Sequence, residues 1–404
     1  MRIVIVGAGQ AAASMAARLR AKGHDGPITV IGEEAAPPYQ RPPLSKAYLL
    51  GEMGVDRLVL RAPDWWRDQG ITLITGRRVT AIDRAIDRAG GRVVTEAGVH
   101  PYDALALTTG ARPRRLPAAM GGDLTGTHVI RGLTDIDALA PELRPGRRMV
   151  VIGGGYIGLE AAAVARKLGL EVTVIEAAPR ILGRVAAPQT AAMIRALHLA
   201  HGVTILEGTG ISRITGTGRA DGVALTDGRV IGADVIVQGI GVLPDTALAE
   251  AAGLALDNGI ATDAQGRSSD PAIWAAGDCA SIPHQGGRLR LESVGGAIDM
   301  AECVADAMLG SDRRLDPRPW FWSDQFDAKL QIAGLGQGHD MIRTRPGQGD
   351  HGGSVWYFRQ GRLIAVDALN DARAYMIGKR LIEAGRSPDP DAVAGVTDLK
   401  ALLA

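Results

Sequence analysis

The feature that most constrains this chain is a doubled pattern of apolar strand, glycine-rich turn and helix. Ile3-Val4-Ile5-Val6 runs into Gly7-Ala8-Gly9-Gln10-Ala11-Ala12. Met149-Val150-Val151-Ile152 runs into Gly153-Gly154-Gly155-Tyr156-Ile157-Gly158. A short continuous apolar run fits a parallel strand covered on both faces. Glycines after such a strand permit a tight turn and let the backbone approach a pyrophosphate, which the free amides and dipole of the helix N-terminus then hold. One such unit implies one dinucleotide. Two units of different sequence imply two, and the usual reason to hold two is hydride transfer between them.

The bulk properties exclude several other classes. A chain of 404 residues is expected to form two or three domains. A net charge of +1 argues against a nucleic-acid binder dominated by phosphate contacts. Cys279 and Cys303 are the only cysteines, and they form no CxxC, zinc pattern or disulfide framework. No metal site is expected. Scarce cysteine, the absence of a cleavable leader and the absence of a membrane-length apolar run lead us to expect a cytoplasmic protein with no membrane partner. The oligomeric state is left open.

Periodicity and breakers give an α/β fold class: two Rossmann-like dinucleotide-binding domains plus a C-terminal α+β domain. Strand, helix and strand are expected over Ile3–Val6, Ala11–Ala21 and Ile28–Ile31. The proline-rich run from Pro37 to Lys46 fits neither a helix interior nor a central strand. Further strands are expected at 104–108, 171–175, 235–237 and 273–278, and helices at 157–168 and 297–309. Asp227-Gly228 marks a hairpin turn. Pro317-Arg318-Pro319 reads as a linker to a region richer in aromatics. These boundaries give residues 1–111 with 236–316 as one discontinuous domain, 112–235 as a second and 317–404 as a third.

The two loops differ in detail. In the first, an FAD-type site, Gly7 and Gly9 make the turn, and Ala12 is the small third residue. An acid is expected after the second strand to bind ribose hydroxyls. Glu33, next to Glu34, lies one residue late, because Gly32 holds the expected slot. The second loop matches fully with Gly153, Gly155 and Gly158, followed by Glu176 after Val172-Thr173-Val174-Ile175. That carboxylate suits two free ribose hydroxyls and would repel a 2′-phosphate. Ala177 and Ala178 bring no cation beside it, although Arg180 and Arg184 follow. NADH is therefore favoured over NADPH.

The run Arg41-Pro42-Pro43-Leu44-Ser45-Lys46-Ala47-Tyr48-Leu49 carries a closer resemblance. So do Thr108-Thr109-Gly110-Ala111-Arg112-Pro113, Gly153 through Glu160, Gly239-Ile240-Gly241-Val242-Leu243-Pro244, Ala275-Ala276-Gly277-Asp278-Cys279-Ala280 and Phe321-Trp322-Ser323-Asp324-Gln325. Over its whole length the chain resembles the FAD-dependent NADH–ferredoxin reductases of the putidaredoxin-reductase and aromatic-dioxygenase type. These serve bacterial monooxygenases and dioxygenases and share a glutathione-reductase-like fold.

The resemblance implies site residues. Asp278 would hydrogen-bond the ribityl chain of FAD, although a cap for the following segment would read the same. Lys46 would lie near the reactive edge of the flavin, paired with Glu160, where a cation favours the reduced anion. A solvated loop lysine and a surface helix glutamate are the plain alternatives. Ala11, Arg41, Val79, Thr109, Gly110, Arg131 and Val294 match other FAD positions. Ile157, Arg184 and Gly241 match NAD positions. Trp322 would approach the flavin or serve as a core aromatic. Cys279 reads as a packing residue.

Disulfide-reducing relatives carry a redox cysteine pair just after the second strand, where this chain has Arg-Pro-Pro-Leu-Ser-Lys. The flavin would therefore give its electrons directly to an outside acceptor. The implied route is a hydride from NADH to the flavin, then single electrons to a [2Fe–2S] ferredoxin. Arg67, Arg77, Arg78, Arg313, Arg314 and Arg318 are candidate docking charges for an acidic ferredoxin, or merely solvated. Rubredoxin reductase, NADH oxidase and a flavin-bearing redox sensor are the competing readings. One departure stands out: Glu292-Ser293-Val294-Gly295-Gly296-Ala297 puts two glycines where the family carries side chains.

Overall fold

The computed structural model describes residues 1–84, 90–347, 352–396 and 398–403. They form two compact units, each assembled from separated stretches of chain. The first comprises Met1–Arg41, Gly54–Arg112 and Val242–Pro319. The second comprises Pro42–Met53, Pro113–Gly241 and Trp320–Ala404.

The first unit is built on a five-stranded parallel sheet in the order Ile273–Ala275, Ala104–Leu107, Ile3–Val6, Ile28–Ile31, Ile71–Ile74. Strands 3–6 and 104–107 are buried at every position, which explains why their sequences are continuous apolar runs and do not alternate. The helix Gln10–Ala21 packs on the helix Val294–Met308. Ala12, Ala13 and Ala16 on the first are almost fully buried, and small side chains allow the close approach. Arg18 closes the contact with a two-pronged bond to Asp306, 2.8 Å at each nitrogen. Beside the parallel sheet stand a three-stranded antiparallel meander, Val79–Arg84, Gly91–Thr95 and Gly98–Tyr102, and a small three-stranded sheet, Ile260–Ala261, Ala280–His284 and Gly287–Leu289. The sequence signals did not reveal the meander: its outer positions are exposed, and a register shift between Val79 and Ala81 breaks the alternation.

The second unit contains another five-stranded parallel sheet, ordered Thr204–Leu206, Glu171–Ile175, Arg148–Ile152, Val235–Gln238, Thr127–His128. The hairpin at Asp227-Gly228 forms between Arg219–Leu225 and Val230–Gly232. The C-terminal region is a five-stranded antiparallel sheet, Trp320–Gln325, Ala328–Gly334, Arg362–Leu369, Gly353–Arg359, Met341–Pro346 in spatial order. The helix Ala372–Glu383 covers it over a core that includes Trp356, Phe358, Val366 and Leu381.

Two boundaries differ from the sequence expectation. Strand 235–238 pairs with 148–152, so the break expected at 235/236 falls after Gly241. Residues 42–53 belong to the second unit, because Ser45 and Lys46 are bonded to Glu160 there. Helix 294–308 starts three residues before the expected Ala297. Its first turn is capped by Ser293, whose Oγ accepts from Gly296 N–H at 3.1 Å. A Cβ on Gly296 would stand 2.9 Å from Leu291 Cβ. The second glycine of the departure is thus a requirement of this tight cap. Among the described residues no helix is long and apolar enough to cross a membrane.

Candidate functional site

The two glycine loops repeat one construction. Gly7 has φ +102°, and a Cβ there would lie 2.2 Å from the Thr108 carbonyl oxygen. Gly153 has φ +106°, and a Cβ there would lie 2.4 Å from the Gly239 carbonyl oxygen. Neither position admits a side chain. Gly9 and Gly155 cap the two helices, and nothing lies within 4 Å of a Cβ built on either. Neither helix has an acid in its first turn. Both N-termini therefore present open backbone and uncompensated amides, as a pyrophosphate requires. The third position is Ala12 in one unit and Gly158 in the other. Gly158 is obligatory, since a Cβ would meet the Gly153 carbonyl oxygen at 2.4 Å.

The loops diverge at the acid. Glu176 follows strand 171–175 and accepts Gly154 N–H and Ala178 N–H, each at 2.7 Å. The carboxylate is fixed at the mouth of the loop, with lone pairs left for ribose hydroxyls. It fits there because residue 154 is glycine. In the first unit residue 8 is alanine, and a Cβ on Gly32 would meet Ala8 Cβ at 2.4 Å. The acid slot is closed, and the carboxylates move on by one and two residues. Glu33 is exposed, with Arg78 at 3.6 Å and Arg112 at 3.9 Å. Glu34 is committed to Arg41 and the Tyr39 hydroxyl.

The other FAD candidates of the first unit are Ala11, Arg41, Val79, Thr109, Gly110, Asp278 and Val294. Ala11 and Val79 are buried. Gly277 turns the chain at φ +81°, with Ala11 Cβ 3.2 Å from a Cβ built on it, and sets the half-buried Asp278 beyond that turn. Thr109 donates to the Asp245 carbonyl at 2.6 Å, and Gly110 accepts from Asp245 N–H at 2.9 Å. Cys279 is fully buried, and its thiol contacts the Leu107 carbonyl oxygen at 3.4 Å. Burial pushes the thiol up, so it is poorly disposed to form a thiolate.

Lys46, Arg131 and Trp322 lie in the second unit, as do all the NAD candidates. Ile157 is exposed in the first turn of its helix. Arg184 reaches to 3.3 Å from a Cβ built on Gly241, which has φ +96°. Arg131 N–H donates to Asp135 at 3.1 Å. Trp322 stacks on Trp320 with ring centroids 5.5 Å apart.

A buried polar group in the second unit surrounds Glu160. Its Oε2 receives Lys46 Nζ at 2.7 Å and the Ser45 hydroxyl at 2.5 Å. Its Oε1 receives the Ser323 hydroxyl at 2.6 Å. The Glu160 side chain is 4% exposed and that of Lys46 17%. The strand alternation explains who takes part. On 320–325, Phe321, Ser323 and Gln325 turn toward the helix of Glu160, while Trp320 and Trp322 turn away. Ser45, Ser323, Gln325 and His198 were not singled out by site reasoning from sequence. The Phe-Trp-Ser-Asp-Gln motif was the available signal.

Fold and loops together define a two-dinucleotide oxidoreductase. The chain belongs to the pyridine nucleotide-disulphide oxidoreductase family, which matches residues 1–301, with a reductase C-terminal region matching 320–403. It is 41% identical to rhodocoxin reductase of Rhodococcus erythropolis, over 100% of this chain and 95% of that one. It is 36% identical to a rubredoxin-NAD(+) reductase of Pseudomonas putida, over 92% and 96%. The crystal structure of a covalent putidaredoxin reductase–putidaredoxin complex superposes with a TM-score of 0.94 at 38% identity, covering 100% of this chain and 98% of that one. The cofactors of such a protein are FAD and a pyridine nucleotide, and the open glycine cradles described above fit both.

Proposed function

We propose that the protein oxidises NADH and passes the electrons through FAD, one at a time, to a [2Fe–2S] ferredoxin that feeds a monooxygenase or dioxygenase. The observation that carries this is the pair of open but non-equivalent glycine cradles in a chain whose two cysteines are both buried and separate. Without a thiol relay, the chain offers no covalent carrier between the cofactor and an outside acceptor. Bound FAD supplies the conversion of a two-electron donor into a one-electron donor.

The chain's own residues supply position and charge. Gly7, Gly9 and the amides of helix 10–21 would hold the FAD pyrophosphate, and Glu33 and Asp278 would hold its hydroxyls. Gly153, Gly155 and Gly158 admit the NADH pyrophosphate. Glu176 accepts from the two ribose hydroxyls and sets the preference over NADPH. Lys46, held by Glu160, would supply a cation that favours the reduced flavin. Arg77 and Arg314 are exposed cations that would suit an acidic partner, whereas Arg67 is paired with Asp64 at 2.9 Å and Arg318 with Asp316 at 3.2 Å. Arg313 is committed to Asp306 at 2.9 Å and belongs to the helix packing. Arg78 faces Glu33. Two buried free thiols suit a reducing, cytoplasmic setting.

The test is stopped-flow reduction of the purified flavoprotein by NADH, followed by cytochrome c reduction with and without added ferredoxin. Strong dependence on a [2Fe–2S] ferredoxin is expected. Equal or better turnover with rubredoxin would favour the second reading, which the rubredoxin-reductase relative motivates. Rapid oxygen consumption with no carrier, or slow reduction with a long-lived charge-transfer complex, would replace the proposal with an oxidase or a sensor.

A further inference from the structure

A line of buried hydrogen bonds runs from Glu160 into the second unit. Ser323 donates to Glu160 Oε1 at 2.6 Å, Gln325 Nε2 approaches Ser323 Oγ at 3.0 Å, and His198 Nε2 approaches Gln325 Oε1 at 2.7 Å. Ser323, Gln325 and His198 are 0%, 1% and 0% exposed. Nothing in the dinucleotide chemistry above uses them.

The direction of every bond in this line is determined. Gln325 Oε1 can only accept, so His198 Nε2 carries a proton. Gln325 Nε2 can only donate, so the one Ser323 proton is free for Glu160. Turning the amide over would leave Ser323 with one hydrogen for two acceptors, Gln325 and Glu160. His198 Nδ1 is buried with no partner, so the ring is neutral, and burial lowers its pKa to about 4. The polarity therefore runs one way, from the imidazole to the carboxylate. With Ser45 and Lys46 at the other oxygen, Glu160 meets donors only, as a buried carboxylate requires.

We propose that Ser323 and Ser45 are positioning residues for the Lys46–Glu160 pair, and that the His198–Gln325 couple fixes the direction in which Ser323 donates. The two hydroxyls orient the Glu160 carboxylate, and the carboxylate in turn holds the Lys46 ammonium. Other groups near Glu160 do not substitute for this. Tyr156, one turn back on the same helix, is buried, and its hydroxyl is pushed further up by desolvation. Asp324 faces Lys329 at 3.9 Å. On the strands beneath this helix, Arg148 is committed to Asp234 at 3.1 Å, and Glu171 is exposed at the start of its own strand.

The inference rests on Lys46 and Glu160 acting at the flavin, and the experiment separates the two. The midpoint potential of bound FAD is measured against pH by reductive titration in wild type, Lys46→Met, Glu160→Gln, Ser323→Ala, Ser323→Thr and Gln325→Leu. The Ser323→Ala curve should shift from wild type toward the Glu160→Gln curve, through the loss of one hydrogen bond to a charged group. Ser323→Thr should restore the wild-type curve, and Gln325→Leu should shift it by less. Should Ser323→Ala fail to fold, Ser45→Ala carries the same expectation from the other oxygen. Wild-type curves for Lys46→Met and Glu160→Gln would remove the pair from the flavin and the inference with it. Altered curves for those two beside an unmoved serine variant would overturn the positioning role alone.

Discussion

At the scale of single residues, the two dinucleotide loops are related by a swap. Ala8 with Gly32 in one unit corresponds to Gly154 with Glu176 in the other, and each pair has room for one side chain. This explains why the acid of the first loop reads as one residue late: the displacement is steric, and the sequence showed the shift without its cause. The glycines themselves separate into structural and functional kinds. Gly153→Ala places a Cβ at positive φ and 2.4 Å from a carbonyl oxygen, so a loss on the order of 3 kcal/mol is expected in thermal or denaturant unfolding. Gly155→Ala adds its methyl where nothing lies within 4 Å, at an extended φ of −80°. Its stability should fall by no more than about 1 kcal/mol, the cost of alanine at an N-cap, while the KM for NADH rises by about tenfold or more. Glu176→Ala should raise the same KM and narrow the gap to NADPH. An unchanged cofactor preference in that variant would contradict the ribose assignment.

At the scale of elements, the βαβ units were legible because three signals coincide in each: a fully apolar strand, a glycine turn and an alanine-rich helix. Helix 156–167 and strand 171–175 fall within one residue of their expected bounds. The meander over 79–102 was not legible, because half-exposed strands with a bulge carry no clean period. The start of helix 294–308 was also misjudged. Glycine has poor helix propensity, yet here Ser293 caps a turn that only a glycine at 296 can close. Replacing Ser293 with Ala should cost about 1 kcal/mol in unfolding free energy. The same helix is tied to helix 10–21 by Asp306, 6% exposed, between Arg18 and Arg313. Asp306→Ala leaves Arg18 facing an emptied contact, and a loss of about 3 kcal/mol is expected from urea unfolding. A variant with wild-type stability would show that the arginines find solvent at no cost.

At the scale of the whole molecule, the linker at Pro317–Pro319 was readable from its prolines, and the unit boundary falls there. The placement of residues 42–53 was not, because Ser45 and Glu160 are 115 positions apart and no local pattern announces their bond. Long-range polar pairing of this kind also shapes how the protein responds to pH. Within the second unit, burial raises the Asp367 carboxyl to about 6, against the hydrogen bonds it accepts from Tyr357 and Thr190. Burial lowers His198 to about 4. For Asp367 the folded value lies above the unfolded one, so its contribution is full below about pH 4 and is lost as pH rises to about 6. For His198 the folded value lies below the unfolded one, so its contribution is present above about pH 6.5 and is lost as pH falls to about 4. The slopes are opposite over nearly the same interval, and each integrates to roughly 3 kcal/mol. They largely cancel in the wild type. Asp367→Asn should therefore expose the His198 term, with the Tm falling more steeply than wild type as pH drops from about 6.5 to about 4. His198→Gln should expose the Asp367 term, with the Tm holding or rising relative to wild type over the same fall. Single variants whose Tm profiles run parallel to wild type would show that these two groups do not carry their protons as the packing around them demands.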